Sequence, residues 1–168
     1  MKKLVLILFM LQSSLLFAQT DLGKWEGKWR GELDIYNEKG LVQTIPMGIN
    51  IIKDGPQWKW QIIYNKGESQ NFRDYTLLPT ANPSQFELDE NNGIILKMSY
   101  LHDTFHSVFE MNQTVLLVSY SLKENELVFR SQYSPAANMI ESEVQGEETQ
   151  KIEARETTNY QIAYLKKS

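Results

Sequence analysis

The sequence contains no cysteine. That excludes disulfides, thiolate metal centres and a cysteine nucleophile, so stability has to come from packing. Histidine is nearly as scarce, with only His102 and His106. A metal site or a histidine-based catalytic set would need further converging groups, and only Asp103 stands near this pair. No stretch reaches the roughly 20 apolar residues of a membrane-spanning helix. There is no excess of positive charge either. The chain of 168 residues carries 17 Lys and Arg against 21 Asp and Glu. An acidic chain without a basic stripe is a poor partner for nucleic acid or anionic lipid.

What is present begins with "MKKLVLILFMLQSSLLFAQ". Lys2 and Lys3 precede an apolar run from Leu4 to Phe17, and Ala18 supplies a small residue before a cleavage point. This predicts a bacterial secretory signal peptide over 1–19. With no cysteine behind the run, no lipid anchor is expected, and the mature chain 20–168 should be periplasmic or secreted and free of a membrane anchor. Without Lys2 and Lys3 the balance is 15 basic against 21 acidic residues, a net charge of −6. About 150 residues suffice for one domain with its own core.

The mature chain repeats with period two. Trp25, Gly27, Trp29, Gly31, Leu33 and Ile35 fall on one face, and Glu26, Lys28, Arg30, Glu32 and Asp34 on the other. That is a half-buried antiparallel strand. A second strand carries Ile45, Met47, Ile49 and Ile51, with a bulge or bend expected at Pro46 and Gly48. A third carries Trp58, Trp60, Ile62 and Tyr64. "FRDYTLL" at 72–78 is strand-like with its inward face undetermined. A hairpin around Asn92-Gly93, strands near 104–111, 114–122 and 126–133, and a last one at 159–165 complete the pattern. The fold class is therefore all-β: a single antiparallel up-and-down β-barrel of about ten strands. A β-sandwich is the competing arrangement. The polar, acidic segment 134–157 reads as a long loop or flap.

Gly23-Lys24-Trp25 and Gly27-Lys28-Trp29 are two copies of G-x-W separated by Glu26. A glycine beside a tryptophan lets the indole lie across a neighbouring strand and fill the closed end of a barrel. A G-x-W on the opening strand followed by a meander resembles the calycin superfamily, which includes lipocalins, fatty-acid-binding proteins, avidins and nitrobindins. The resemblance implies a lipocalin-like barrel. It stops short of any subfamily. "RDYTLL" looks like the second lipocalin motif but comes too early. The turn at 37–40 has no room for the paired helices of fatty-acid-binding proteins. Their arginine-x-tyrosine near the C-terminus is unmatched, because two residues separate Arg130 from Tyr133. Nor does any histidine follow His106, as a nitrobindin-like haem site would require.

Parity places Trp58, Trp60, Tyr64, Tyr100, Phe105, Phe109, Tyr120, Phe129 and Tyr133 on inward faces, and these are the candidate ligand-lining residues. Aromatics on inward faces also serve simply as core. Tyr64, Tyr100, Ser107, Tyr120 and Tyr133 are the polar groups able to orient a ligand. Trp25 and Trp29 are assigned to the closed end as structure. His106 should point to solvent, while Ser107, Phe109 and Met111 face inward. "GESQN" at 67–71 lacks the second glycine of a nucleophile elbow, and "DENNG" at 89–93 lacks calcium-loop spacing. No catalytic set, metal site or cofactor is expected. The functional expectation is an exported, non-enzymatic protein holding an apolar or aromatic, lipid-like small molecule. The alternative is an exported interaction or structural module with a filled core.

Overall fold

The structure, a computed structural model, describes residues 22–66, 69–144 and 150–168. The expected signal peptide over 1–19 lies outside the described residues. Twelve strands are found among them: β1 (Gly27–Asn37), β2 (Gly40–Asp54), β3 (Gln57–Lys66), β4 (Ser69–Pro79), β5 (Gln85–Asp89), β6 (Ile95–Leu101), β7 (Thr104–Met111), β8 (Thr114–Lys123), β9 (Glu126–Pro135), β10 (Met139–Val144), β11 (Gln150–Arg155) and β12 (Asn159–Lys167). Ten of them close into an antiparallel barrel in the order β1-β12-β9-β8-β7-β6-β5-β4-β3-β2. Closure leaves no unpaired barrel edge.

Tight turns enforce the meander. His102 and Asp103, and likewise Asn112 and Gln113, take positive φ at both turn positions. That backbone matches the twist of the flanking strands in two-residue hairpins. The expected irregularity at Pro46 and Gly48 is absent. Pro46 pairs in register with Glu32, and the register shift falls instead between Ile35 and Tyr36. Pairing of β2 with β3 begins only at Met47, so Pro46 has a ladder partner on the β1 side alone, the edge-like setting in which proline is tolerated. Gly48 faces outward under Arg30, whose side chain would lie within 2.9 Å of an added Cβ.

Trp25 does not belong to the first strand. Gly23–Trp25 forms a single 3-10 turn, and β1 starts at Gly27. Gly27 has φ +137, which breaks the extended run and lets the chain swing Trp25 beneath the barrel. The Trp25 carbonyl then accepts a 2.9 Å bond from Trp29 Nε1. The lower end of the barrel is thereby plugged by its own N-terminal turn.

The segment 134–157, across its described residues, is not a loop. It holds a short 3-10 turn at Ala136–Asn138 and the antiparallel pair β10–β11, with Ile140 opposite Ala154 and Ser142 opposite Ile152. This ribbon leaves the barrel at the upper end, between β9 and β12. Arg155 ties it to the barrel through Glu110 of β7 at 3.6 Å and also pairs with Glu153 of its own strand at 3.5 Å.

Candidate ligand site in the barrel

The core fills the barrel from the bottom. Trp25 is fully buried and meets Phe105 at 4.9 Å between ring centroids, Trp60 at 5.9 Å and Tyr100 at 6.2 Å. Phe105 also touches Tyr100 at 4.7 Å and Phe86 at 5.3 Å. Trp58 packs edge-on to Phe86 at 6.4 Å. Tyr120 stacks between Trp60 at 5.1 Å and Phe129 at 5.2 Å. These edge-on and tilted contacts are the geometry aromatic quadrupoles favour. Of the nine residues expected to line a cavity, Trp58, Trp60, Tyr100, Phe105, Tyr120 and Phe129 therefore pack on one another. In the lower half they are core first.

The upper half differs. Ile35, Tyr64, Val118 and Tyr133 occupy inward positions yet are only half-buried. Phe109 is also half-buried, whereas Met111, expected inward, sits at a strand end and is 51% exposed. Between Phe129 and Tyr133 on the inward face of β9 lies Ser131. It is 1% exposed, and its hydroxyl has no hydrogen-bond partner among the described residues. Ser107, by contrast, satisfies itself by donating to the Lys97 carbonyl at 2.9 Å. A buried hydroxyl left unpaired costs about 1–3 kcal/mol, so Ser131 stands out among inward neighbours that are only half-buried.

Strand β4 settles the face that sequence left open. Tyr75 and Leu77 are buried, so Arg73 shares their inward parity, opposite Ile62 of β3. Arg73 lies at the rim and is itself exposed. Its guanidinium carbon stands 5.8 Å from the Tyr64 ring centroid, and the group donates a hydrogen bond to the Tyr75 hydroxyl. That bond holds the guanidinium firmly protonated. Burial pushes Tyr64 up to about 12, moderated by Arg73, and raises Tyr75 and Tyr120 as well. Near neutral pH these phenols are uncharged hydrogen-bond donors around one permanent cation. Glu90, at the end of β5, is the carboxylate whose field reaches both Arg73 and Tyr75. Among the described residues the ion pairs within 4 Å are Lys24–Asp103, Lys59–Asp54, Lys151–Glu143 and those of Arg155; none involves Arg73.

Arg73, Tyr75 and Ser131 were not among the sequence candidates. Tyr75 and Leu77 share a face with a charge, and Phe72 and Leu78 lie on the other face, so hydrophobic parity alone cannot orient β4. His102 sits in the β6–β7 turn and His106 points outward from β7, away from the interior. Asp89 caps the Asn91 backbone at 2.8 Å within the β5–β6 turn.

No protein-family model matches the chain. No curated protein matches it by sequence. Among solved structures, the S-type phycobiliprotein lyase CPES from Guillardia theta superposes with a TM-score of 0.58. The match covers 87% of this chain and 89% of the other, at 9% identity. At that identity the likeness establishes the fold alone: a closed, antiparallel, lipocalin-like ten-stranded barrel.

Proposed function

We propose that this chain is an exported binding protein that holds an apolar or aromatic small molecule in the upper half of its barrel. The observation that carries the reading is the buried, unpartnered Ser131 hydroxyl among inward residues that are only half-buried. Among the described residues the lower half has no such feature on its inner wall beyond the indole N–H groups of Trp58 and Trp60, which sit within the packed rings. Burial of apolar ligand area, at roughly 25 cal/mol per Å², supplies the affinity, and the neutral phenols orient the guest. The phycobiliprotein lyase lends this chain an architecture and no ligand. Export rests on the leader-like first 19 residues.

A titration with the uncharged fluorescent probe N-phenyl-1-naphthylamine tests the reading. Saturable binding to the mature chain is expected, weakened at least tenfold by Val118→Phe, which adds a ring to the upper interior. Affinity unchanged by that substitution, in a variant whose circular dichroism matches the parent, would put the probe outside the barrel and contradict the reading.

The alternative, an interaction module, draws support from the β10–β11 ribbon. Ile140, Val144 and Ile152 lie on one face and are exposed, Ile140 by 69%. A two-stranded ribbon is marginal alone in water, and this face is available to a protein partner.

A further inference from the structure

The proposed pocket has a sign. Arg73 is an arginine of inward parity at its rim, carried by a strand whose neighbouring inward residues, Tyr75 and Leu77, are buried. A solvated side chain at a barrel rim has no need to lie over a ring, yet Arg73 is folded over Tyr64 and bonded to Tyr75. The guanidinium thus lies over the ring of one residue of inward parity and beside the hydroxyl of another, and neither contact is an ion pair. Guanidinium offers five N–H donors in a fork that matches two oxygens of one anion, and one bond to Tyr75 leaves most of them for a guest. Tyr64 adds a neutral hydroxyl to the same group, and Tyr133 stands close enough to influence it electrostatically.

Depth sets the guest's size. Tyr120 and Phe129 cap the packed lower half through their own contact. From Phe129 through Ser131 to Tyr133 the inward face of β9 spans four residue steps, roughly 13 Å of tilted strand. That length admits two or three rings or a short chain, and it is too shallow for an extended long-chain acyl group.

Resting on the binding reading above, we infer that the guest is a compact apolar oxyanion, an aromatic or short-chain carboxylate or sulfonate. Its charged group lies on Arg73 and Tyr75, and its apolar body points down toward Val118 and Phe129. Ser131 supplies a hydroxyl beside the body, where a polar substituent on the guest would meet it. Glu90 opposes the anion across the rim and weakens its hold.

The test uses a matched pair on the mature chain: 8-anilinonaphthalene-1-sulfonate and its uncharged parent N-phenyl-1-naphthylamine. They share one ring system and differ by the sulfonate. The sulfonate should bind about tenfold or more tightly than the parent, the scale of one charge-assisted contact. Arg73→Gln should erase that preference while leaving the parent's affinity within twofold. Arg73→Lys should keep part of it, because a point charge replaces the fork. Glu90→Gln should tighten the sulfonate alone. Arg73 and Glu90 are rim residues, so these variants are expected to fold, and unchanged binding of the uncharged parent confirms it in each case. Equal affinities for the two probes in the wild-type chain, or a preference that survives Arg73→Gln, would overturn the oxyanion assignment and leave the binding reading standing. Failure of both probes to bind would overturn both.

Discussion

The Arg73 guanidinium carbon lies 5.8 Å from the centre of the Tyr64 ring, so the cation at the barrel rim is held by aromatic residues of adjacent strands. The pair links the electrostatics of the rim to the stability of the wall beneath it. Tyr64 is raised to about 12 chiefly by burial. A group whose folded value lies above its unfolded value contributes stability that is intact below the unfolded value, about 10 for tyrosine, and is lost as pH rises through the folded one. The denaturation midpoint should therefore fall between about pH 10 and pH 12. Tyr64→Phe should flatten part of that fall, with Tyr75 and Tyr120 accounting for more. A midpoint independent of pH over that window would contradict the burial of these phenols.

The bottom plug is a second test. Trp25 is fully buried, touches three rings and donates from Nε1 to the Tyr100 hydroxyl at 3.4 Å. Trp25→Ala removes a large side chain from a packed site and should cost about 3–5 kcal/mol, read from urea denaturation. A loss below ~1 kcal/mol would mean that the 3-10 turn is not a plug.

Closure of the barrel depends on Gly31. A Cβ there would stand 2.3 Å from the Tyr164 carbonyl oxygen on β12, a backbone atom that cannot swing aside. Gly31→Ala should therefore push β1 off β12 and destabilise the fold by about 1–3 kcal/mol. Hydrogen exchange should quicken along that seam, and an unaltered exchange pattern would argue that the seam tolerates separation. Gly31 lies two residues beyond Trp29, the tryptophan of the second G-x-W: the glycine allows strand approach, while Trp29 packs inside.

Outside the plug, Asp103 accepts from Lys24 and, at 2.9 Å, from the Tyr100 hydroxyl. These bonds, Lys24 foremost, hold its carboxyl below the ordinary range. Its contribution is present above the unfolded value and lost as pH falls through the folded one. The groups are exposed, so Asp103→Asn should change stability by no more than about 1 kcal/mol, and asparagine also suits the positive φ of this turn. A larger loss, measured near neutral pH, would show the latch to be structural.

Much of the barrel was legible because a half-buried wall forces period two. Trp29, Leu33, Met47, Ile49, Trp60 and Leu122 follow the parity rule and are buried. Parity fails where its premise fails. Trp25 continues the alternation by spacing, but Gly27 turns the backbone and takes it out of the strand. The β10–β11 ribbon covers no core, so its strands retain polar residues and read as loop. Strand β4 carries an inward arginine, the residue that a hydrophobic rule rejects. Parity also reports direction and not depth, so it gathered the packed rings of the lower half together with Tyr64 and Tyr133 of the upper half.

Native mass spectrometry of the protein purified from its own source asks outright whether the upper barrel holds a small molecule. A discrete extra mass that disappears on denaturation is expected, with a compact species detected in negative-ion mode in the released fraction. A bare native mass under the gentlest conditions, with nothing released, would contradict the binding reading, and an extra mass equal to a second polypeptide would move the assignment to the interaction module.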